Sequence, residues 1–187
     1  MAEALRIAIV GAESTGKTAL ARALAERLGD ETGLRCAWVG ECLREWCEQE
    51  GRTPRIDEQA AIARQQQARI ETAASSHDIL VCDTTALMTA VYSTLIFDDS
   101  SLEAYAVQQH RRSHLTLLTA LDLPWVADGL QRDGPQVREP VDQALRRLLG
   151  RHGLPWTLVQ GSGSARLLAA LEAVAPLLAG SASVQAR

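Results

Sequence analysis

The 187-residue chain contains no asparagine, and only one of its nineteen basic residues, Lys17, is a lysine. Without asparagine there is no Asn-x-Ser/Thr glycosylation site. The Asn-Lys-x-Asp box that reads guanine in regulatory GTPases is excluded for the same reason. Aromatics are scarce, with four Trp, two Tyr and one Phe, so the 47% apolar share rests mainly on Ala, Leu and Val. That is the composition of a soluble globular chain. The net charge is −4 and no basic run exceeds two residues, which argues against a nucleic-acid partner, since tight binding needs clustered phosphate neutralisers. No apolar run approaches the roughly 18 residues of a membrane span, and Met1–Leu5 shows no signal-peptide pattern. A cytoplasmic protein with no membrane partner is expected. The four cysteines, Cys36, Cys42, Cys47 and Cys82, form no C-x-x-C pair and read as reduced thiols that fill a core. His77, His110, His114 and His152 are scattered, and ordinary helix-end or surface positions are expected for them.

Short apolar runs alternate with segments of helical spacing. Strands are expected at Leu5–Val10, Arg35–Val39, Asp78–Cys82, Leu115–Leu121 and Trp156–Gln160. Helices are expected at Thr18–Leu28 with Gly29 as C-cap, around Leu43–Glu48, and from Asp57 to about Ala74. Further helices follow from Ala86 to Arg112 with a break near Phe97–Ser101, at Pro140–Leu149 with proline in the first turn, and at Ala165–Leu178. Ala127–Glu139, with two glycines, one proline and five charges, reads as a mobile loop. Strand followed by helix five times predicts an α/β fold of three layers: a five-stranded parallel sheet flanked by helices on both faces. One domain over residues 1–179 is expected, with 180–187 a disordered tail.

Gly11-Ala12-Glu13-Ser14-Thr15-Gly16-Lys17-Thr18 matches G-x-x-x-x-G-K-[ST] in full and stands between the first strand and the first helix. This is the setting of a P-loop NTPase. Glycines allow the tight turn that points successive N–H groups at one anion, and the helix N-terminus adds partial positive charge. Gly11, Glu13, Ser14, Thr15, Gly16, Lys17, Thr18 and Ala19 are the expected nucleotide cradle. ATP is the expected nucleotide, with Lys17 at the β- and γ-phosphates and the Thr18 hydroxyl on Mg²⁺.

A phosphate loop does not name a reaction. Asp83 ends the third strand, either as a carboxylate on the magnesium side or as a cap on the next helix. Glu41 ends the second strand, either facing an acceptor hydroxyl or as a solvated helix-start residue. Arg132 and Arg138 follow the fourth strand, as cations that close over phosphates or as surface arginines.

The phosphate loop, Glu41 with Arg44, Asp57…Ile62…Gln66, and Asp83-Thr84 with Thr89 and Tyr92 resemble the nicotinamide riboside kinase domain of NadR-type proteins. The narrowest match is Pro124-Trp125-Val126-Ala127-Asp128-Gly129-Leu130, and Arg138, Gly161 and Arg166 complete the order, so the likeness runs from Arg6 to Val174. Where that family tends to place Arg directly after Asp-Gly-Leu, this chain has Gln131 and then Arg132. The resemblance implies a stand-alone P-loop kinase that moves the ATP γ-phosphoryl, with Mg²⁺, to the ribose 5′-hydroxyl of nicotinamide riboside. The expected catalytic residues are Lys17, Glu41, Asp83, Arg132 and Arg138, with Asp83 also at the substrate; by the resemblance Glu41 faces the acceptor hydroxyl. Thr18 and Asp83 hold the metal, and Arg44, Trp125 and Asp128 line the acceptor cleft. A kinase for another nucleoside or metabolite, and a regulatory ATPase module without an acceptor, remain open beside it.

The lone lysine makes one expectation directly measurable. Amine-directed labelling should modify Lys17 and the N-terminus only, and ATP should suppress the Lys17 adduct in a peptide-resolved mass spectrum. Labelling of Lys17 that ignores ATP would contradict the assignment.

Overall fold

A computed structural model describes residues 3–127 and 134–185, with side chains as far as residue 179. Successive strand residues face opposite sides of a sheet, and the strand sequences make use of both sides. Strand β1 (Leu5–Val10) sends Ile7 and Ile9 to one side and Val10 to the other; β3 (Ile79–Asp83) divides Ile79 and Val81 from Leu80 and Cys82 in the same way. Strands β2 (Cys36–Val39), β4 (Leu115–Thr119) and β5 (Thr157–Val159) complete a parallel sheet in the order β2-β3-β1-β4-β5. Being apolar on both faces, these strands need a helical layer on each.

Helix α1 (Lys17–Thr32) and α7 (Gly163–Gln185) cover the face that carries Ile7, Ile9, Ile79, Val81, Leu117 and Val159. The other face receives α3 (Gln59–Ala74), α4 (Ala86–Phe97), α5 (Glu103–His110) and α6 (Arg138–Arg151), while α2 (Cys42–Glu50) packs against α3. The order β2-β3-β1-β4-β5 reverses direction around β1, so the loops that leave the carboxyl ends of β1, β2, β3 and β4 gather at one edge. Such a point in an open α/β sheet is where ligands bind.

The elements agree with the expected ones in kind and order, and several boundaries differ. Helix α1 continues through Gly29 to Thr32 and ends where Gly33, at φ 69°, adopts the left-handed conformation and donates its N–H to the Gly29 carbonyl at 2.9 Å. A glycine thus caps the helix, one turn later than its first candidate. The segment expected as loop to Glu139 instead forms a 3-10 turn at Pro135–Val137 and enters α6 at Arg138; residues 128–133 lie outside the described residues. Strand β4 ends at Thr119, two residues early, and the Thr119 hydroxyl lies under the phosphate loop. Helix α7 is assigned as far as Gln185, and side chains from 180 onward lie outside the description.

One histidine is not at the surface. His110, at the end of α5, is 2% exposed; its Nδ1 lies 3.0 Å from the Thr85 hydroxyl and its Nε2 2.8 Å from the Thr116 hydroxyl. Thr85 in turn caps α4 by accepting from the Leu87 N–H at 3.3 Å. The imidazole therefore joins the start of α4 to β4 through two buried hydroxyls. Burial lowers its pKa from the ordinary 6.5 to about 4. A histidine depressed on folding contributes stability above its unfolded pKa and loses it as the pH falls towards the folded one. Between pH 7 and pH 5 the protein should lose about 2 kcal/mol that a His110→Gln variant does not lose. Urea unfolding of both proteins at the two pH values measures this, and equal pH dependence would count against it.

Candidate active site

The phosphate loop is held in shape by its neighbours as much as by its glycines. Gly11, at φ 151°, lies so close to Thr119 that any side chain there would overlap the Thr119 hydroxyl. Ser14 (φ 54°) and Gly16 (φ 74°) take left-handed backbone, which turns the chain sharply before α1 begins at Lys17. A turn that points N–H groups at an anion leaves its carbonyls facing away, and each needs a donor. The Ala12 carbonyl accepts from the Thr15 hydroxyl at 2.8 Å and from Lys17 Nζ at 2.7 Å. The Thr15 carbonyl accepts from Arg166 Nη1, and the Thr15 and Thr119 hydroxyls pair at 2.7 Å. Ser14 Oγ donates to the Val126 carbonyl (3.1 Å) and accepts from the Val126 N–H (2.9 Å), pinning the segment after β4 over the loop.

Asp83 stands beside this loop because β3 pairs with β1 in a register that sets Ile9 opposite Asp83. The chain then turns through Thr84, a non-glycine at φ 71° whose N–H is held by the Ile9 carbonyl at 3.0 Å. Thr18 Oγ1 donates to Asp83 Oδ2 at 2.5 Å, while Asp83 Oδ1 is buried and has no hydrogen-bond partner among the described residues. Burial raises the Asp83 pKa, opposed by the Thr18 hydrogen bond and the charges of Lys17, Arg44 and Arg22. The reading of Asp83 as a helix cap fails, since Thr85 holds that position. One hydroxyl and one carboxylate oxygen without a partner form a hard-oxygen pair. That set suits Mg²⁺, which takes few protein ligands and completes its shell with water and phosphate. Among the described residues no three His, Cys, Asp or Glu side chains cluster as a complete metal cage.

Around these groups lies a cavity of about 750 Å³. The loop residues Ser14 to Ala19 form its floor, Glu41 and Arg44 of α2 one wall, and Pro124 and Val126 another. Glu41 is the N-cap residue of α2 but makes no side-chain cap bond. Its backbone is fixed by Gln66, whose amide accepts from the Cys42 N–H at 2.7 Å and donates to the Gly40 carbonyl at 3.2 Å. Arg22 also lines the cavity, stacked over the Trp38 ring at 4.5 Å. Arg138 is buried at the start of α6; Nη1 donates to the Leu123 carbonyl at 2.9 Å, and Nε and Nη2 are buried without partners among the described residues. Trp125 is half-buried and does not line the cavity, although its neighbours do, and its Nε1 is buried with no partner among the described residues. Glu13 lines a separate cavity on the other side of the loop. Asp128 and Arg132 lie outside the described residues.

Three side chains that carried no assigned role in the sequence prove central to this geometry. Arg22 was legible, because it follows Thr18 by four residues and so shares its helical face. Gln66 and Arg166 were not, because each acts on backbone far away in sequence. Arg166, 3% exposed, donates to the Thr15 carbonyl, to the Gly161 carbonyl at 2.7 Å and to Asp122 Oδ1, while Asp122 Oδ2 receives the Gly161 N–H at 2.6 Å.

A glycine-bearing turn at a helix N-terminus, a lysine, and a Thr–Asp pair at the carboxyl edge of a 2-3-1-4-5 sheet define a P-loop nucleotide-binding protein of kinase-like fold. The family model of the AAA domain matches residues 6–166, and the chain belongs to that family. Two solved NadR structures are similar to it: one in complex with NR (23% identity, TM-score 0.74, 91% of this chain and 50% of that one) and one with NAD and AMP-PNP (22%, 0.73, 92% and 50%). The chain thus spans about half the length of those proteins. A thymidylate kinase from Ehrlichia chaffeensis shares the fold at 15% identity and TM-score 0.63, over 94% of this chain and 100% of that one. No curated protein matches at a significant level. Among the described residues no helix is long and apolar enough to cross a membrane.

Arg166→Leu should lower stability by about 2–3 kcal/mol in urea unfolding, because it leaves the Thr15 carbonyl and the Asp122 carboxylate without their charged donor. Arg166→Lys should recover less than half of that loss, since an ammonium cannot fork towards three acceptors as a guanidinium does. Full recovery with lysine would show that charge alone matters there.

Proposed function

We propose that the protein is a kinase that transfers the γ-phosphoryl of ATP to the ribose 5′-hydroxyl of nicotinamide riboside. The observation that carries this reading is the meeting of Lys17, the Thr18–Asp83 pair and Glu41 around one cavity. A second cavity, lined by Glu13, opens on the other side of the same loop. The likeness to a NadR protein solved with NR, to another solved with AMP-PNP, and to a thymidylate kinase supports it.

In this mechanism the loop N–H groups and Lys17 bind the β- and γ-phosphates of ATP. Thr18 and Asp83 would hold Mg²⁺, which when bound would offset charge on the phosphate oxygens. Glu41, fixed by the Gln66 clamp, orients the acceptor hydroxyl and takes its proton as the hydroxyl oxygen bonds to the γ-phosphorus and the bond to ADP breaks. Arg22, Arg44 and Arg138, with Arg132 from the segment after β4, offset the charge spread over the transferred group. Little covalent work falls to the protein, so positioning and charge account for the rate.

ATP turnover should rise at least about tenfold on adding nicotinamide riboside, with nicotinamide mononucleotide formed in step with ADP. Lys17→Ala should reduce that transfer by about a hundredfold or more while the far-UV circular dichroism stays unchanged. Slow hydrolysis indifferent to the riboside would overturn the kinase reading in favour of a regulatory ATPase module.

A further inference from the structure

Among the described residues, three tryptophan rings carry an arginine on one face: Trp38 with Arg22 at 4.5 Å, Trp46 with Arg52 at 4.8 Å, and Trp156 with Arg146 at 4.9 Å. In two of these pairs a carboxylate also neutralises the guanidinium. Arg52 binds Glu58 at 2.7 Å, and Arg146 binds Asp142 at 2.6 Å. Arg22 differs: among the described residues it makes no hydrogen bond and no ion pair, so the Trp38 ring is what holds its head. Of the three arginines, Arg22 alone lines the phosphate cavity.

The chain explains how the two side chains meet. Arg22 follows Thr18 by four residues, so both lie on one face of α1. Helical side chains lean towards the N-terminus of their helix, which aims Arg22 back at the Thr18–Asp83 pair. Its charge is felt there: burial raises the Asp83 pKa, and Arg22 is among the charges that oppose the rise. Trp38 comes from the sheet. Cys36 packs on the α1 side of β2, while Ala37 and Val39 pack on the α3 side, so alternation sends Trp38 towards α1. Because β2 is an edge strand, the indole stays 38% exposed. Gly40 leaves room for it, since a Cβ there would stand 3.1 Å from the ring.

Arg22 is itself exposed. An unrestrained surface arginine samples many rotamers, and ordering it costs free energy. A carboxylate would order it but would also occupy its N–H fork and cancel its charge. An aromatic face orders the guanidinium plane and leaves the fork free for phosphate oxygens. We propose that Trp38 is a positioning residue, which holds Arg22 ready for the γ-phosphate end of ATP. The metal of phosphoryl transfer bridges the β- and γ-phosphates, so a guanidinium aimed at the Thr18–Asp83 pair meets that end of the nucleotide. The proposal rests on the kinase reading for the reaction step and on nucleotide binding alone for the contact.

The test separates the γ-phosphate from the rest of the nucleotide. In calorimetry, Trp38→Leu should weaken binding of AMP-PNP about three- to fivefold and leave ADP within about 1.5-fold. The kcat for nicotinamide riboside should fall by about the same three- to fivefold. Trp38→Tyr, which keeps an aromatic face, should recover at least about half of each loss. In an Arg22→Ala background, Trp38→Leu should change neither quantity, an outcome that a merely structural role for the indole does not produce. All variants are compared at a temperature where far-UV circular dichroism shows them folded. Unchanged AMP-PNP affinity in Trp38→Leu, equal weakening of AMP-PNP and ADP, no recovery with tyrosine, or the same effect with and without Arg22 would each overturn the inference. If no phosphoryl is transferred, the kinase reading fails, and the ratio of AMP-PNP to ADP affinity still decides this inference.

Discussion

A turn that directs its N–H groups at an anion has to direct its carbonyl oxygens somewhere else, and those oxygens need donors of their own. Much of this structure is arranged around that requirement. The Ala12 carbonyl is satisfied from within, by the Thr15 hydroxyl and Lys17. The Thr15 carbonyl is satisfied from the far end of the chain, by Arg166 of α7. Arg166 also binds Asp122 and the Gly161 carbonyl, so the loops after β4 and β5 are tied to the same point. Thr119 closes the underside by pairing with Thr15 and occupying the room that Gly11 leaves. The shape of the phosphate loop is thus a property of three strand ends and one distant helix.

The sheet order explains why the other groups arrive where they do. With β1 central and β3 beside it, Asp83 comes level with the end of β1, and Thr18 on the first turn of α1 meets it. Strand β2 lies one place further out, so Glu41 reaches the site only through the loop into α2, and the Gln66 amide holds that loop. The phosphate loop then separates two spaces of different character. One is lined by Lys17, Arg22 and Arg44 and suits polyanionic phosphate; the other is largely apolar, with Glu13 and Gln59 among its polar lining residues. Two reactants of opposite chemistry can approach one edge from two sides.

Strands and helices were legible because apolar runs and helical spacing are local signals, and the phosphate loop was legible because its backbone geometry demands particular residues at fixed spacing. The misplacements also have local causes. Gly29 competed with Gly33 for the end of α1, and either could have stopped it. His110 gave no sign of burial, because two threonines from other elements satisfy it. Arg138 read as part of a loop because its neighbours are glycine and proline, although the proline at 135 opens a turn that leads into α6.

By itself the sequence determined the parallel α/β class, the site of the phosphate loop, and the pairing of a lysine, a threonine and a strand-ending aspartate with nucleotide chemistry. The first rests on strand and helix patterns that alternate along the chain, the others on residue types at fixed places beside a strand. Only the tertiary structure decided that Arg166 completes the loop, that Gln66 positions Glu41, that Thr85 rather than Asp83 caps α4, and that Glu13 and Gln59 face a second cavity. The Gln66 and Arg166 contacts join residues separated by 24 to 151 positions, and Glu13 and Ser14 are neighbours that face opposite sides of one turn. Such relations arise from the order in which the strands lie in the sheet, which no local pattern encodes.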